Sequence, residues 1–234
     1  MIPVFTAASG RVIAPDLIGF DKSDKPVDDE LYTYGFHRDM LMAFIRHLDL
    51  WNITLVCQDW GGILGLGIVP DMADRFDRLI VMNTAIPVGV SPGEGFDNWK
   101  AFVRSQPDLD VGALFKRGMP YLSDEEAAAY AAPFPCQDHK AGVRRFPELV
   151  PVEPGMEGVE HGERARQFFS RDWGGKSFMA VGMQDPVLGL PIMKELQGFI
   201  RGFPEPMEVP DGGHFVQERG EAIARAALQH FQSQ

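Results

Sequence analysis

The pattern of hydrophobic and polar positions alternates between strand-like runs and helix-like periodicity. Apolar, β-branched runs at residues 52–58, 78–84 and 177–184 predict buried strands. A shorter run at 11–16 (RVIAPD) predicts a further buried strand near the start, and 207–209 predicts one near the end. Because strands that alternate with helical segments pair in parallel, the pattern predicts an α/β fold with a mostly parallel sheet.

Helical periodicity appears between and after these runs. Residues 36–48 place apolar side chains at 36, 40, 41, 44, 45 and 48 on one face, and polar side chains, including His37, on the other. A helix rich in small residues is predicted over 61–69, and an amphipathic helix over 223–231. We expect these helices to pack against the sheet.

The alternating pattern stops in the middle of the chain. Residues 86–163 contain Pro- and Gly-rich loops, aromatic residues and short helical stretches such as 124–132. This composition predicts a helical cap inserted into the core. We therefore divide the chain into a first core part (1–86), a cap (87–163) and a second core part (164–234).

Composition excludes several classes of protein. The 234 residues carry a net charge of −11 with no basic run, which argues against a nucleic-acid partner. No window of about 18 apolar residues exists to span a membrane. The two cysteines, Cys57 and Cys136, are too few for a disulfide framework and favour a reducing, cytoplasmic location. We expect a monomer that acts on a small molecule.

The strongest chemical signal is an aspartate at the end of the second predicted strand. Asp59 is followed by a glycine-rich helix, and the small residues Cys57 and Gly61 lie two positions before and after it. A nucleophile elbow needs this arrangement, because strand and helix nearly touch there. The alternative is an ordinary helix N-cap, for which Asp is also a preferred residue. A carboxylate on an elbow attacks carbon directly and forms an ester with itself.

Two later residues complete a catalytic order. Asp185 ends the third long strand, and His214 follows the short last strand in a glycine loop. The order nucleophile, acid, histidine is the α/β-hydrolase order, and the carboxyl ends of parallel strands converge at one edge. Taken alone, Asp185 could be a turn former and His214 an ordinary loop histidine. The other five histidines lack this context and are expected at the surface: His37, His47, His139, His161 and His230.

Motifs along nearly the whole chain resemble those of the haloalkane dehalogenases, within the subgroup of the dichloroethane-degrading enzyme. They are RVIAPD with GF-x-KSDKP, NITLV-x-QDWGG, RLIVMN, AAYAAPFP, AGVRRFP and GGHFVQE. The resemblance implies an α/β-hydrolase fold without metal or organic cofactor. It implies Asp59 as nucleophile, His214 as base and Asp185 as its support.

The resemblance also assigns binding residues. Trp60 and Trp99 are implied as the indoles that hold the halide, and the backbone N–H of Trp60 as an oxyanion donor. A less specific part of the resemblance places four residues in the apolar cavity: Phe96, Phe146, Pro147 and Val150. The substrate side therefore consists of a small haloalkane, water and the released halide ion.

The chain also departs from the family pattern. The family has further strands and an H-G-x-P loop ahead of RVIAPD, so we expect a fragment that lacks one oxyanion donor and a neighbour for the strand at 52–58. Asp21 stands where the family usually has Gly, which predicts local strain at a positive φ.

Two other functions remain open from the sequence. An epoxide hydrolase shares the Asp-Trp elbow, but it protonates its substrate with cap tyrosines, for which Tyr121 and Tyr130 are the candidates. The third hypothesis is an inactive remnant of the fold.

Overall fold

The computed structural model describes residues 1–233, and the fold in that range is built on one four-stranded sheet. The strands are β1 (Ile53–Gln58), β2 (Phe76–Met82), β3 (Lys176–Gly182) and β4 (Met207–Val209). They lie in the order β1-β2-β3-β4, and every neighbouring pair is parallel. Four of the five predicted strands are thus confirmed, with ends within two residues of those expected.

Ten α-helices surround the sheet in the described range. They are α1 (Ile2–Ala7), α2 (Tyr34–His47), α3 (Trp60–Ile68), α4 (Glu94–Arg104), α5 (Val111–Gly118), α6 (Asp124–Ala131), α7 (Ala141–Leu149), α8 (Val159–Arg171), α9 (Leu190–Phe199) and α10 (Gly220–Gln232). Side-chain caps begin several of them: Thr33, Asp110 and Ser123 accept backbone N–H groups at the starts of α2, α5 and α6. None of these helices combines the length and apolar character needed to cross a bilayer.

The sheet separates two apolar layers. In β2, Leu79 and Val81 point to one layer with α2, α3, α8 and α9, whereas Ile80 and Met82 point to the other with α10. This alternation follows from the two-residue period of a strand. Helix α1, which the sequence did not predict, lies against α10, with Phe5 packed on that second layer. We call the helices α4 to α7, which lie between β2 and β3 in the chain, the helical insert.

The prediction of a buried strand at residues 11–16 is wrong. The segment is irregular, and most of its residues are exposed. Its backbone has no strand beside it, because β1 pairs only with β2 in residues 1–233. A strand without a neighbour leaves its N–H and C=O groups without ladder partners, which makes an isolated strand unfavourable. Val56 of β1 is correspondingly 37% exposed.

The buried face predicted for α2 is partly wrong. His37 is fully buried, whereas Met40 is 45% exposed. The His37 ring packs edge-on against Phe146 of the helical insert at 4.8 Å, a contact that helical periodicity cannot reveal. Burial lowers the pKa of His37 to about 4, so the buried ring is neutral. Of the other histidines outside the catalytic order, His47 and His139 are exposed as predicted, and His161 and His230 are half-buried.

Candidate active site

The carboxyl ends of the four strands bring distant residues to one edge of the sheet. Asp59 follows β1, Asn83 and Thr84 follow β2, Asp185 follows β3, and His214 follows β4. Parallel pairing puts these ends side by side, which is where α/β folds bind ligands. Helices of the insert cover this edge.

Asp59 has the backbone conformation of an elbow. Its φ is 47° and its ψ −124°, a region that few residues with a side chain adopt. The surrounding structure holds it there: its N–H donates to the Asn83 carbonyl at 2.9 Å, and its carbonyl accepts the Thr84 hydroxyl at 2.7 Å. The Asp59 side chain makes no capping hydrogen bond to α3, so the N-cap alternative is wrong.

The tightest contact at the elbow involves Gly62 and Thr84, the second residue after β2, and not the predicted pair Cys57 and Gly61. A Cβ atom added to Gly61 would lie 3.8 Å from Cys57 Cβ, an ordinary contact. A Cβ atom added to Gly62 would lie 2.1 Å from Thr84 Oγ1, which is sterically impossible without movement. The glycine that the elbow requires is therefore Gly62.

His214 lies between the two aspartates. Its Nδ1 is 3.0 Å from Asp185 Oδ2, and its Nε2 is 3.9 Å from Asp59 Oδ1. Because a carboxylate can only accept, Nδ1 carries the hydrogen, and Nε2 of the neutral ring faces Asp59 as a free base. Burial lowers the pKa of His214, but the hydrogen bond to Asp185 and the charges of Asp59 and Asp185 raise it more, so its pKa lies above the ordinary value.

Asp185 is fixed as an anion by its surroundings. Its Oδ1 accepts the backbone N–H groups of Val187 at 2.8 Å and Leu188 at 3.0 Å. Burial raises the pKa of Asp185, but its hydrogen bonds and the charge of His214 lower it more, so the net shift is downward. A carboxylate that stays ionised in this position can orient His214 and stabilise its charged form.

Asn83 joins the parts of the site, and the sequence reasoning did not find it. Its Nδ2 lies 3.0 Å from Asp185 Oδ2, and its Oδ1 accepts the Gly182 N–H at 2.7 Å. It is fully buried and has a positive φ of 21°. A polar residue directly after the apolar run of β2 was the available signal, because buried polar groups need specific partners.

An apolar cavity of about 770 Å³ lies above Asp59. All four residues predicted to line it do so: Phe96, Phe146, Pro147 and Val150. The aromatic lining residues that were not predicted include Phe20, Phe102, Phe115 and Phe215. Within residues 1–233 no group of three or more His, Cys, Asp or Glu side chains is placed to hold a metal ion.

Two indoles of the cavity lack hydrogen-bond partners. Trp60 and Trp99 both line it, and neither indole N–H meets an acceptor in residues 1–233. The other two tryptophans donate within the protein, Trp51 to Asp49 at 2.8 Å and Trp173 to Ser177 at 3.0 Å. The backbone N–H of Trp60 also has no acceptor among the described residues. Residues with free N–H donors therefore line the same cavity as the proposed nucleophile.

The two candidate tyrosines do not line the cavity. The Tyr130 hydroxyl donates to the Glu218 carboxylate. Tyr121 is 52% exposed, and the guanidinium of Arg219 lies over its ring at 4.6 Å. Neither O–H is placed to protonate an epoxide held at Asp59. Asp21, the other departure from the family pattern, has the expected positive φ, 36°.

Relatives of the chain are found by sequence and by structure. The α/β-hydrolase fold family matches residues 1–221. A haloalkane dehalogenase from Psychrobacter cryohalolentis is 41% identical over 98% of this chain and 77% of the relative, and one from Mycolicibacterium paratuberculosis is 38% identical over 97% and 76%. The tetrameric structure of haloalkane dehalogenase DpaA from Paraglaciecola agarilytica NO2 superposes with a TM-score of 0.95 at 50% identity, over 98% of this chain and 77% of that one.

Proposed function

The chain belongs to the haloalkane dehalogenases of the α/β-hydrolase superfamily, hydrolases of carbon–halide bonds, and we propose that it cleaves short haloalkanes through an ester on Asp59. The products are the corresponding alcohol and a halide ion. The observation that carries this proposal is that Asp59 lines one apolar cavity together with two unpartnered indoles and with His214, whose free Nε2 is 3.9 Å from Asp59 Oδ1.

In the first step the Asp59 carboxylate attacks the carbon that bears the halogen. A C–O bond forms as the carbon–halogen bond breaks, and the halide leaves with the bonding electrons. The indoles of Trp60 and Trp99 donate to the departing halide, because Trp is a donor only and brings an apolar wall with it. His214 has no part in this step, since a carboxylate needs no deprotonation.

In the second step water hydrolyses the ester. Nε2 of His214 takes a proton from water, and the resulting hydroxide attacks the ester carbonyl of Asp59. The backbone N–H of Trp60 stabilises the oxyanion, and Asp185 stabilises the imidazolium. Collapse of the intermediate expels the alkoxide, which takes the proton from His214, and leaves Asp59 as a carboxylic acid. Loss of that proton to solvent restores the Asp59 carboxylate, so each turnover releases one proton with the halide.

The proposal has three further parts: the cap, the cellular location and the oligomeric state. Residues 87–163 form the cap that closes the cavity. Cys57 and Cys136 are both free thiols, which fits a cytoplasmic location. We also propose a monomer: light scattering that returns 26.0 kDa supports this, and a fourfold mass, as the tetrameric DpaA relative would suggest, overturns it.

Replacing His214 with Gln tests the assignment of the two steps. We expect the variant to be alkylated once by a bromoalkane and then to stop, because the base that activates water is lost. Intact mass should show one retained alkyl group, and digestion should localise it to the peptide with Asp59. His139→Gln, at an exposed histidine, is the matched control and should turn over normally.

An unmodified His214→Gln protein, or alkylation at another residue, contradicts the proposal. An assay of the unsubstituted chain with an epoxide distinguishes the related hydrolase. Diol formation without halide release from haloalkanes would replace the proposal with an epoxide hydrolase.

A further inference from the structure

An aromatic stack connects the helical insert to the loop that carries His214. Tyr130 of α6 stacks on Phe115 of α5 with centroids 4.0 Å apart and rings inclined by 14°. Phe115 in turn stacks on Phe215 at 4.5 Å and 28°. Phe215 directly follows His214 and meets its ring edge-on at 5.2 Å. A continuous series of rings therefore runs from the insert to the proposed base.

Polar contacts fix both ends of the same loop. The Tyr130 hydroxyl donates to Glu218, four residues beyond His214. The next residue, Arg219, lies over the ring of Tyr121 and donates to Asp211 ahead of His214 at 2.8 Å. The two cap tyrosines that are absent from the cavity thus both contact the His214 loop.

The loop has little secondary structure of its own to hold it. Strand β4 has only three residues, and Gly212 and Gly213 lie between it and His214. Glycine removes the steric restriction on the backbone that a Cβ provides. The insert also approaches closely here, since a Cβ atom at Gly118 would lie 3.0 Å from the Phe215 ring. The orientation of His214 therefore depends on contacts from outside its loop.

We propose that Tyr130 is a positioning residue for His214, acting through Phe115 and Phe215. The stack holds the imidazole where Nε2 can direct water to the Asp59 ester. This inference rests on the proposed function and restricts the role of Tyr130 to the second step. The nucleophilic attack by Asp59 does not use His214 and is independent of the stack.

Single-turnover measurements on the full chain separate the two steps. Tyr130→Leu removes the ring, whereas Tyr130→Phe keeps the ring and removes only the O–H donated to Glu218. We expect Tyr130→Leu to slow ester hydrolysis by about 5- to 100-fold, the range that small misplacements of a catalytic group produce, while the rate of alkylation by a bromoalkane stays within about twofold. The alkyl-enzyme should accumulate, and Tyr130→Phe should retain most of the hydrolysis rate.

Controls distinguish positioning from general damage. Tyr32→Phe removes a different tyrosine hydrogen bond, the one to the Pro26 carbonyl at 2.7 Å, and should leave the ratio of the two rates unchanged. If Tyr130→Leu fails to fold, Glu218→Gln and Tyr130→Phe replace it in the test. Each of them weakens the hydrogen bond between Glu218 and the half-buried Tyr130. They should then show a smaller loss confined to hydrolysis.

Three outcomes overturn the inference: equal slowing of both steps, no change in either, or the same selective loss in Tyr32→Phe. If the ester forms normally and its hydrolysis rate is the same in every Tyr130 and Glu218 variant, only the positioning role of Tyr130 is refuted. Absence of an ester in the unsubstituted chain refutes Asp59 as nucleophile, and the positioning role with it.

Discussion

The four tryptophans of the chain differ in whether the indole N–H has a hydrogen-bond partner, and this difference indicates their roles. Trp51 and Trp173 donate to acceptors within the protein, whereas the indoles of Trp60 and Trp99 face the cavity without one. A buried or half-buried donor without a partner is costly, so such a donor indicates a ligand. A halide is suited to this place because it needs only donors.

Replacing Trp99 with Phe removes one of these donors and keeps an aromatic ring. We expect halide affinity to fall by about 10-fold or more, since a hydrogen bond to a charged group contributes about 1.5–3 kcal/mol. Carbon–halogen cleavage should slow more than ester hydrolysis, because the donor acts where charge develops on the leaving group. Quenching of tryptophan fluorescence by bromide measures the affinity. Trp51→Phe is the control, and equal affinities in the two variants would remove Trp99 from the halide site.

The sequence predicted Asp59, Asp185 and His214 because each is a polar residue that ends or follows an apolar run, so local pattern and topology sufficed. It did not predict Asn83, although that residue also ends such a run. The role of Asn83 depends on Gly182 and Asp185, which lie about 100 positions away in the chain. The position of Asn83 after an apolar run is visible in the sequence, but its hydrogen-bond partners are not.

At the level of elements, strand prediction succeeded where pairing supports the strand. The runs that became β1, β2 and β3 each have a parallel neighbour. The shorter run at 11–16 has none in residues 1–233 and is irregular. Strand propensity reports mainly the fit of side chains to a paired, half-buried surface. The ends of each strand could therefore be predicted from the sequence. Whether an apolar run forms a strand at all depends on a paired neighbour, and the local sequence pattern does not show that neighbour.

The junction of β1 and α3 gives a matched pair of substitutions. Gly62→Ala places a methyl group on Thr84, whose hydroxyl is engaged by the Asp59 carbonyl, so neither can move freely. We expect the free energy of unfolding to fall by about 1–3 kcal/mol, as for overpacked cores. Gly61→Ala adds the same methyl group at an ordinary 3.8 Å contact with Cys57 Cβ and should be neutral or stabilise by up to about 1 kcal/mol through helix propensity. Urea denaturation compares them, and equal midpoints would show that the close contact relaxes without cost.

Across the whole molecule, His37 links stability to pH. It is buried among aromatic rings, and neither ring nitrogen has a partner in residues 1–233. Its pKa falls from an ordinary 6.5 to about 4. Between these values the unfolded chain binds a proton that the folded chain does not bind. The contribution of neutral His37 to the free energy of unfolding is therefore complete above pH 6.5 and is lost as the pH falls toward about 4.

We expect His37→Leu to flatten this part of the stability curve. The slope attributable to one such group is at most about 1.4 kcal/mol per pH unit. The raised pKa of His214 has the opposite sign, since its contribution is complete below pH 6.5 and is lost at higher pH, so it does not produce the acid loss. Thermal unfolding from pH 7 to 4 tests the prediction, with exposed His47→Leu as the control. Parallel curves for the unsubstituted chain and His37→Leu would contradict it.

The distance between nucleophile and base along the chain has a consequence for biosynthesis. Gln58, beside the nucleophile, and His214 are 156 positions apart. At about 5–20 residues per second, a ribosome needs roughly 8–30 s to add the residues between them. A nascent chain that already contained a folded elbow would have a nucleophile but no base during that interval. Such a chain could be alkylated but could not release the product until His214 is added and folded, so synthesis in the presence of substrate would delay the first hydrolysis.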